Sequence, residues 1–137
     1  MRRRNESMND CIFCMIASGK IPCTKIAENK DFLAFLDINP INPGHTLIIP
    51  KKHVENVFDL GKAEYAELFE MSRRISEPLR KAAEAKKIGV IVEGFLVPHA
   101  HVHLVPLNYA GELSFSRAKK ADPAELAAMA SRIRQQL

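Results

Sequence analysis

The sequence predicts an α+β fold: an antiparallel sheet of about five strands, one long helix, and short helices toward the N- and C-termini. Three observations predict it. Residues 97–107 alternate histidine with aliphatic side chains between flanking prolines, a period of two that suits an extended strand. Residues 62–86 place apolar side chains at helical spacing over several turns. The remaining apolar runs are short and come in turn-linked pairs instead of alternating with helices, which favours antiparallel pairing over parallel βαβ units.

Taken in order, Asn9 or Asp10 is placed to cap a short helix over residues 11–18, which Gly19 ends and Pro22 follows. Residues 24–28 and 32–36 read as two strands joined at Asn29-Lys30-Asp31 in a hairpin. The run Asp37-Ile38-Asn39-Pro40-Ile41-Asn42-Pro43-Gly44 is a loop by its turn residues. Residues 45–50 form the next strand, with His45, Leu47 and Ile49 on one face. The long helix carries a stripe of Tyr65, Leu68, Phe69, Ser72, Ile75, Leu79, Ala82 and Ala83. Pro78 lies inside it and is expected to kink or split it, and Gly89 is expected to stop it. Residues 90–93 make a strand, Gly94-Phe95-Leu96 a tight turn, and 97–107 the histidine strand, with 108–121 mostly loop. Asp122-Pro123-Ala124-Glu125 then starts a last helix to about Arg134, with a capping carboxylate, proline at the first helical position and Glu at the capping-box position.

The 137 residues suit one domain, assigned here to residues 9–137, with residues 1–8 set aside as an extension. No apolar run approaches the length of a membrane span, and the basic start lacks the apolar core of a signal peptide. Three cysteines, two of them in Cys11-x-x-Cys14, do not make a disulfide framework, so a reducing cytoplasm is the expected location. The net charge of +4 is scattered over a tail, a helix end and a loop, and gives no argument for nucleic acid.

Three of the five histidines fall in Pro98-His99-Ala100-His101-Val102-His103-Leu104-Val105-Pro106. An extended chain sends His99, His101 and His103 to one side and Ala100, Val102 and Leu104 to the other. Neutral imidazole is a competent nucleophile near neutral pH. Its attack on phosphorus splits one displacement into two through a phosphoimidazole.

The run His99-Ala100-His101-Val102-His103-Leu104-Val105 resembles the signature of the histidine-triad (HIT) family of nucleotide hydrolases and transferases. Cys11-Ile12-Phe13-Cys14, Phe35-Leu36-Asp37, Pro43-Gly44-His45 and Pro50-Lys51-Lys52-His53 are similar to further family landmarks, in order. The resemblance implies that His101 attacks the α-phosphorus of a purine nucleotide, that His103 contacts the phosphate, and that His45 joins the same histidine cluster. It implies that Asp37 accepts hydrogen bonds from the ribose hydroxyls. Ile12, Phe13, Ile16, Phe35 and Ile38 would form the base slot, though core packing alone also accounts for such residues. Zinc-containing relatives place ligands where this chain has Cys11, Cys14, His53 and His99, which would make a closed structural site. Reduced buried thiols are the plainer alternative, and Cys23 receives no role. A homodimer joined through sheet edges is also implied.

The chain departs from the pattern before the triad. The loop is cut to Gly94-Phe95-Leu96-Val97-Pro98, with Leu96 at a position that carries a hydroxyl in many relatives, and Val92 stands where some have asparagine. Fewer phosphate donors follow, so a nucleotide-binding regulator with little turnover is the alternative to an enzyme. A redox-active metal held by the histidine strand is a third reading.

Overall fold

The computed structural model describes residues 10–137; the proposed extension, and Asn9 as a helix cap, lie outside the described residues. Helix α1 (Ile12–Ala17) is followed by strands β1 (Lys25–Glu28), β2 (Phe32–Leu36) and β3 (Thr46–Pro50), then α2 (Lys62–Ala82), β4 (Lys87–Ile91), β5 (Val102–Leu107) and α3 (Pro123–Gln136). The five strands form one sheet in the order β1-β2-β3-β5-β4, antiparallel at every pairing. Helix α2 carries the chain from the centre of the sheet to its far edge, and β5 returns to fill the gap between β3 and β4. The expected α+β architecture is therefore present.

Both faces of the sheet are covered, which explains why every residue of β2 and β3 is buried. Phe32, Ala34, Leu36, Ile48, Val102 and Leu104 point toward α2 and α3, into a core completed by Leu68, Ile75, Leu79 and Ile133. Leu33, Phe35, Leu47 and Ile49 point the other way, against Cys11 and Phe13 at the start of α1. Each fully buried aliphatic side chain contributes roughly 1.5–3 kcal/mol by leaving water.

The element boundaries differ from the sequence reading in instructive ways. Helix α1 is capped by Cys11, whose Sγ accepts from the Cys14 amide at 3.3 Å; Asp10 does not serve as its cap. Helix α2 ends at Ala82, where Glu84 takes a left-handed φ of 53°. The chain thus turns early, and Gly89, expected as the helix stop, sits inside β4. A Cβ there would lie 2.6 Å from Leu107 Cδ1. Helix α2 runs on through Pro78. The carbonyl left without its N–H belongs to Arg74, on the exposed side, where water can satisfy it. Its buried stripe takes Met71 and leaves Tyr65 outside.

The histidine strand is shorter than expected, starting at Val102. Ahead of it the chain bonds elsewhere: the His99 amide donates to Val97 O at 2.8 Å and the Ala100 amide to Val54 O at 2.6 Å. The alternation of side chains nevertheless continues back through Ala100, which is buried in the α2/α3 core.

Gly44 sets the entry to β3. Its φ is +94°, and a Cβ there would meet Leu79 Cδ1 and Pro106 Cγ, each at 3.1 Å. Left-handed strain and crowding add, so Gly44→Ala should lower stability by about 2 kcal/mol in urea denaturation. An unchanged midpoint would refute that account.

Candidate active site

The register between β3 and β5 builds the site. Leu47 pairs with His103, and His45 lies just outside the end of β3. His45 Nε2 and His103 Nδ1 are 2.9 Å apart in the buried interior. The Ile41 amide donates to His45 Nδ1 at 3.0 Å. A neutral imidazole has one donor and one acceptor nitrogen, so His45 must carry its proton on Nε2 and donate it to His103 Nδ1. His103 is then protonated on Nε2. The Asp37 carboxylate, 3.6 Å from His45 Nε2, is consistent with a proton there.

His101 has the opposite arrangement. Its Nδ1 lies 2.6 Å from the His99 carbonyl, which only accepts, so Nδ1 carries the proton. Nε2 is left as a lone pair with no hydrogen bond among the described residues. The residue is only 5 % exposed. The two rings stand 4.7 Å apart, so a lone pair and an N–H donor sit side by side.

Burial favours the neutral forms this scheme requires. It holds His45 down to about 4 and His103 down to about 3, with the neighbouring imidazoles adding to the effect. Burial also lowers His101, opposed by the His99 carbonyl and by Glu93. Asp37 is raised by burial, opposed by the Asn39 amide on its carboxylate.

His101, His103 and Asp37 open onto a cavity of about 340 Å³. All the predicted slot residues, Ile12, Phe13, Ile16, Phe35 and Ile38, line it together with Asp37, His101 and His103. Phe13 packs edge-on to His101 at 5.0 Å between ring centres and to Phe35 at 5.7 Å. Ile38 is 59 % exposed, which places it at the mouth. His45 supports the cavity from behind and does not line it.

Sequence reasoning missed several lining residues, among them Glu93, Phe115 and Cys23. Phe115 sits in the single 3-10 turn, Phe115–Arg117, of the loop before α3, with its ring 5.1 Å from that of His103. An isolated aromatic in a polar loop was the signal available. Cys23 also lines the cavity.

His99 parts company with the other two histidines. Its Nε2 donates to the Pro50 carbonyl at 2.8 Å, so Nδ1 is a free lone pair. That nitrogen lies 3.2 Å from Cys11 Sγ and 3.5 Å from Cys14 Sγ, and His53 Nδ1 lies 3.2 Å from Cys14 Sγ. The ligand atoms of all four residues lie within 4.8 Å of one another. A tetrahedral zinc site has S···N edges of about 3.5 Å, so the four residues fit the ion. Burial, reinforced by the Cys11 thiol, raises the Cys14 thiol above the usual cysteine range when no metal is bound. His53 Nε2 is buried without a partner, so this ring is the least anchored of the four.

The sheet presents imidazole nitrogens to a largely apolar cavity, and a Cys₂His₂ cluster lies where the covering helix meets the segment before β5. The chain belongs to the HIT family: the HIT domain model matches residues 18–109. It is 37% identical over 98 residues to the adenosine 5'-monophosphoramidase hnt1 of Schizosaccharomyces pombe, covering 70% of this chain and 73% of that one. It is 34% identical over 103 residues to the adenylylsulfatase HINT3 of Arabidopsis thaliana, covering 72% of this chain and 52% of the relative. The crystal structure of a zinc-bound histidine triad family protein from Mycobacterium smegmatis superposes with a TM-score of 0.80 at 30% identity, covering 94% of each chain.

Proposed function

We propose that this protein is a nucleotidyl hydrolase or transferase that cleaves a purine nucleotide at the α-phosphorus through a covalent nucleotidyl-histidine. The observation that carries the reading is the pairing of opposite tautomers: an unpartnered His101 Nε2 lone pair beside a His103 Nε2–H. His101 Nε2 forms a bond to phosphorus as the bond to the leaving group breaks, and the departing group takes up a proton. Water then attacks the same phosphorus, the imidazole leaves, and the nucleoside monophosphate is released. His103 donates to a phosphoryl oxygen whose charge grows during attack, and His45 fixes the tautomer that makes this donation available. Asp37 accepts from the ribose hydroxyls, and Ile12, Phe13, Ile16, Phe35 and Ile38 hold the base. The bond cleaved belongs to a phosphoramidate, an acyl-phosphate or a polyphosphate. Cys11, Cys14, His53 and His99 would hold zinc, which supplies a structural cross-link and no step of the reaction.

The test is incubation with adenosine 5'-phosphoramidate and measurement of released adenosine monophosphate. Saturable release supports the enzyme. Tight binding without release supports the regulator, a reading favoured by Phe95 and Leu96, which stand almost fully exposed on the loop before the triad and offer no side-chain donor. Because His101 and His103 must be neutral, kcat should hold steady above neutrality and fall as pH drops below the ordinary histidine range. A rate that rises on acidification would contradict the assignment of His101 as nucleophile.

The homodimer is supported by β4, which ends the sheet among the described residues, where Val90, and Val92 just beyond the strand, are exposed. A charged side chain on an unpaired edge opposes strand pairing, so Val90→Lys should shift the mass in sedimentation from dimer to monomer. A wild-type protein that already sediments as a monomer would remove the dimer from the proposal.

No helix among the described residues is long and apolar enough to cross a membrane.

A further inference from the structure

The group on the far side of the phosphorus meets a distinctive electrostatic surrounding. The cavity that holds His101 and His103 is lined by two carboxylates, Asp37 and Glu93, and by no lysine or arginine among the described residues. The proposed reading gives Asp37 to the ribose; its Oδ1 also accepts from the Asn39 amide at 2.8 Å, and its Oδ2 lies 3.6 Å from His45 Nε2. Glu93 is exposed, forms no hydrogen bond or ion pair among the described residues, and lines the same cavity as His101 and His103.

The neighbouring space continues the pattern. A second cavity of about 450 Å³ shares Ile12, Leu96 and Val97 with the first; it adds Asp10, Glu55 and His53, and again no lysine or arginine among the described residues. The cations Arg117, Lys119 and Lys120 line a different cavity, beyond Ala118. With the base in the slot of Ile12, Phe13, Ile16, Phe35 and Ile38, Glu93 is the charged lining residue left to meet the group beyond phosphorus. A polyphosphate would bring several further negative charges to a carboxylate with no compensating cation among the described residues, which is unfavourable at short range. An amine bearing a positive charge would be drawn to the same place.

We infer that Glu93 is a specificity-determining residue that selects nucleoside phosphoramidates whose leaving amine carries a positive charge, and that disfavours polyphosphate leaving groups. The inference rests on the nucleotidyl-transfer reading above and narrows its leaving group. In the step concerned, the bond from His101 Nε2 to phosphorus forms, the P–N bond breaks, and the amine leaves after taking a proton from solvent. Glu93 touches only the distal charge of that amine.

Three adenosine 5'-phosphoramidates of matched length test it, with 1,3-diaminopropane, propylamine and 3-aminopropanoate as leaving amines. The wild-type protein should rank them in that order by kcat/KM, about three- to tenfold between the ends, the range of a partly exposed charge pair. Glu93→Gln should flatten the series and Glu93→Lys should invert it. Comparing each ratio between proteins cancels the intrinsic reactivity of the amines. Ratios unchanged in Glu93→Gln, or wild-type preference for diadenosine tetraphosphate over all three, would overturn the inference while leaving nucleotidyl transfer intact. No release from any of the three by the wild type would overturn both.

Discussion

Replacing His101 with alanine should abolish release of adenosine monophosphate, a loss of about 10⁴-fold or more in kcat, while nucleotide binding falls only modestly. The size follows from the role proposed. A nucleophile cannot be replaced by its neighbours, and in enzymes built around one its loss removes nearly all the rate above what binding and electrostatics supply. Here His103 cannot substitute, because its Nδ1 is occupied by His45 and its Nε2 carries the proton. The same substitution leaves Phe13, Phe35 and Ile16 in place, so the apolar slot persists. Mass spectrometry of acid-quenched wild-type protein should detect a nucleotidyl adduct that His101→Ala lacks. Turnover surviving within tenfold of wild type would refute the assignment. So would an adduct mapped to another residue.

The second large effect concerns the Cys₂His₂ corner. Purified protein should contain about one zinc per chain, and Cys14→Ala should lose it together with on the order of 3 kcal/mol of stability. Three links make the loss more than local. Cys11 caps α1 and Cys14 lies within it, so the cluster holds that helix to the sheet. Helix α1 carries Phe13, whose ring packs against His101. The backbone carbonyl of His99 accepts from His101 Nδ1, so the residue offered to the metal also fixes the tautomer of the proposed nucleophile. A chelator should therefore lower the melting temperature of the wild type and leave that of Cys14→Ala where it is. Protein without bound metal, and equal melting in both, would remove the zinc proposal.

Stability should also fall with acid for a reason separate from the metal. His45 is held neutral by burial, with a folded value of about 4 against an ordinary 6.5. Between those values the unfolded chain binds the extra proton, so stability decreases as pH drops through that window and is fully regained above it. His45→Gln should flatten that part of the curve in pH-dependent denaturation. An unaltered slope would mean that His45 is not the group responsible.

How far the sequence reached depended on the kind of signal. Alternation identified β5 and the inward set Ala100, Val102 and Leu104, since burial on one side leaves a period-two record. It also placed His101 and His103 on a common side. It did not tell where pairing stops, because the segment before Val102 keeps extended alternation while bonding to Val54 and Val97 instead of to a strand. The Cys11/Cys14 spacing gave half of the metal cluster. The choice of His53 and His99 as partners came from the family resemblance, and the fold brings all four ligand atoms together.

By itself, then, the sequence determined the α+β class, the order of the elements, and the two chemically marked segments, because each leaves a local pattern of period or spacing. Only the tertiary structure decided which nitrogen of each imidazole carries the proton, since that depends on acceptors and donors as distant in the chain as His45 is from His103. Only it brought Phe115 from the loop before α3 and Glu93 from the turn after β4 into one cavity wall, because no short-range pattern records what the far side of a cavity contributes.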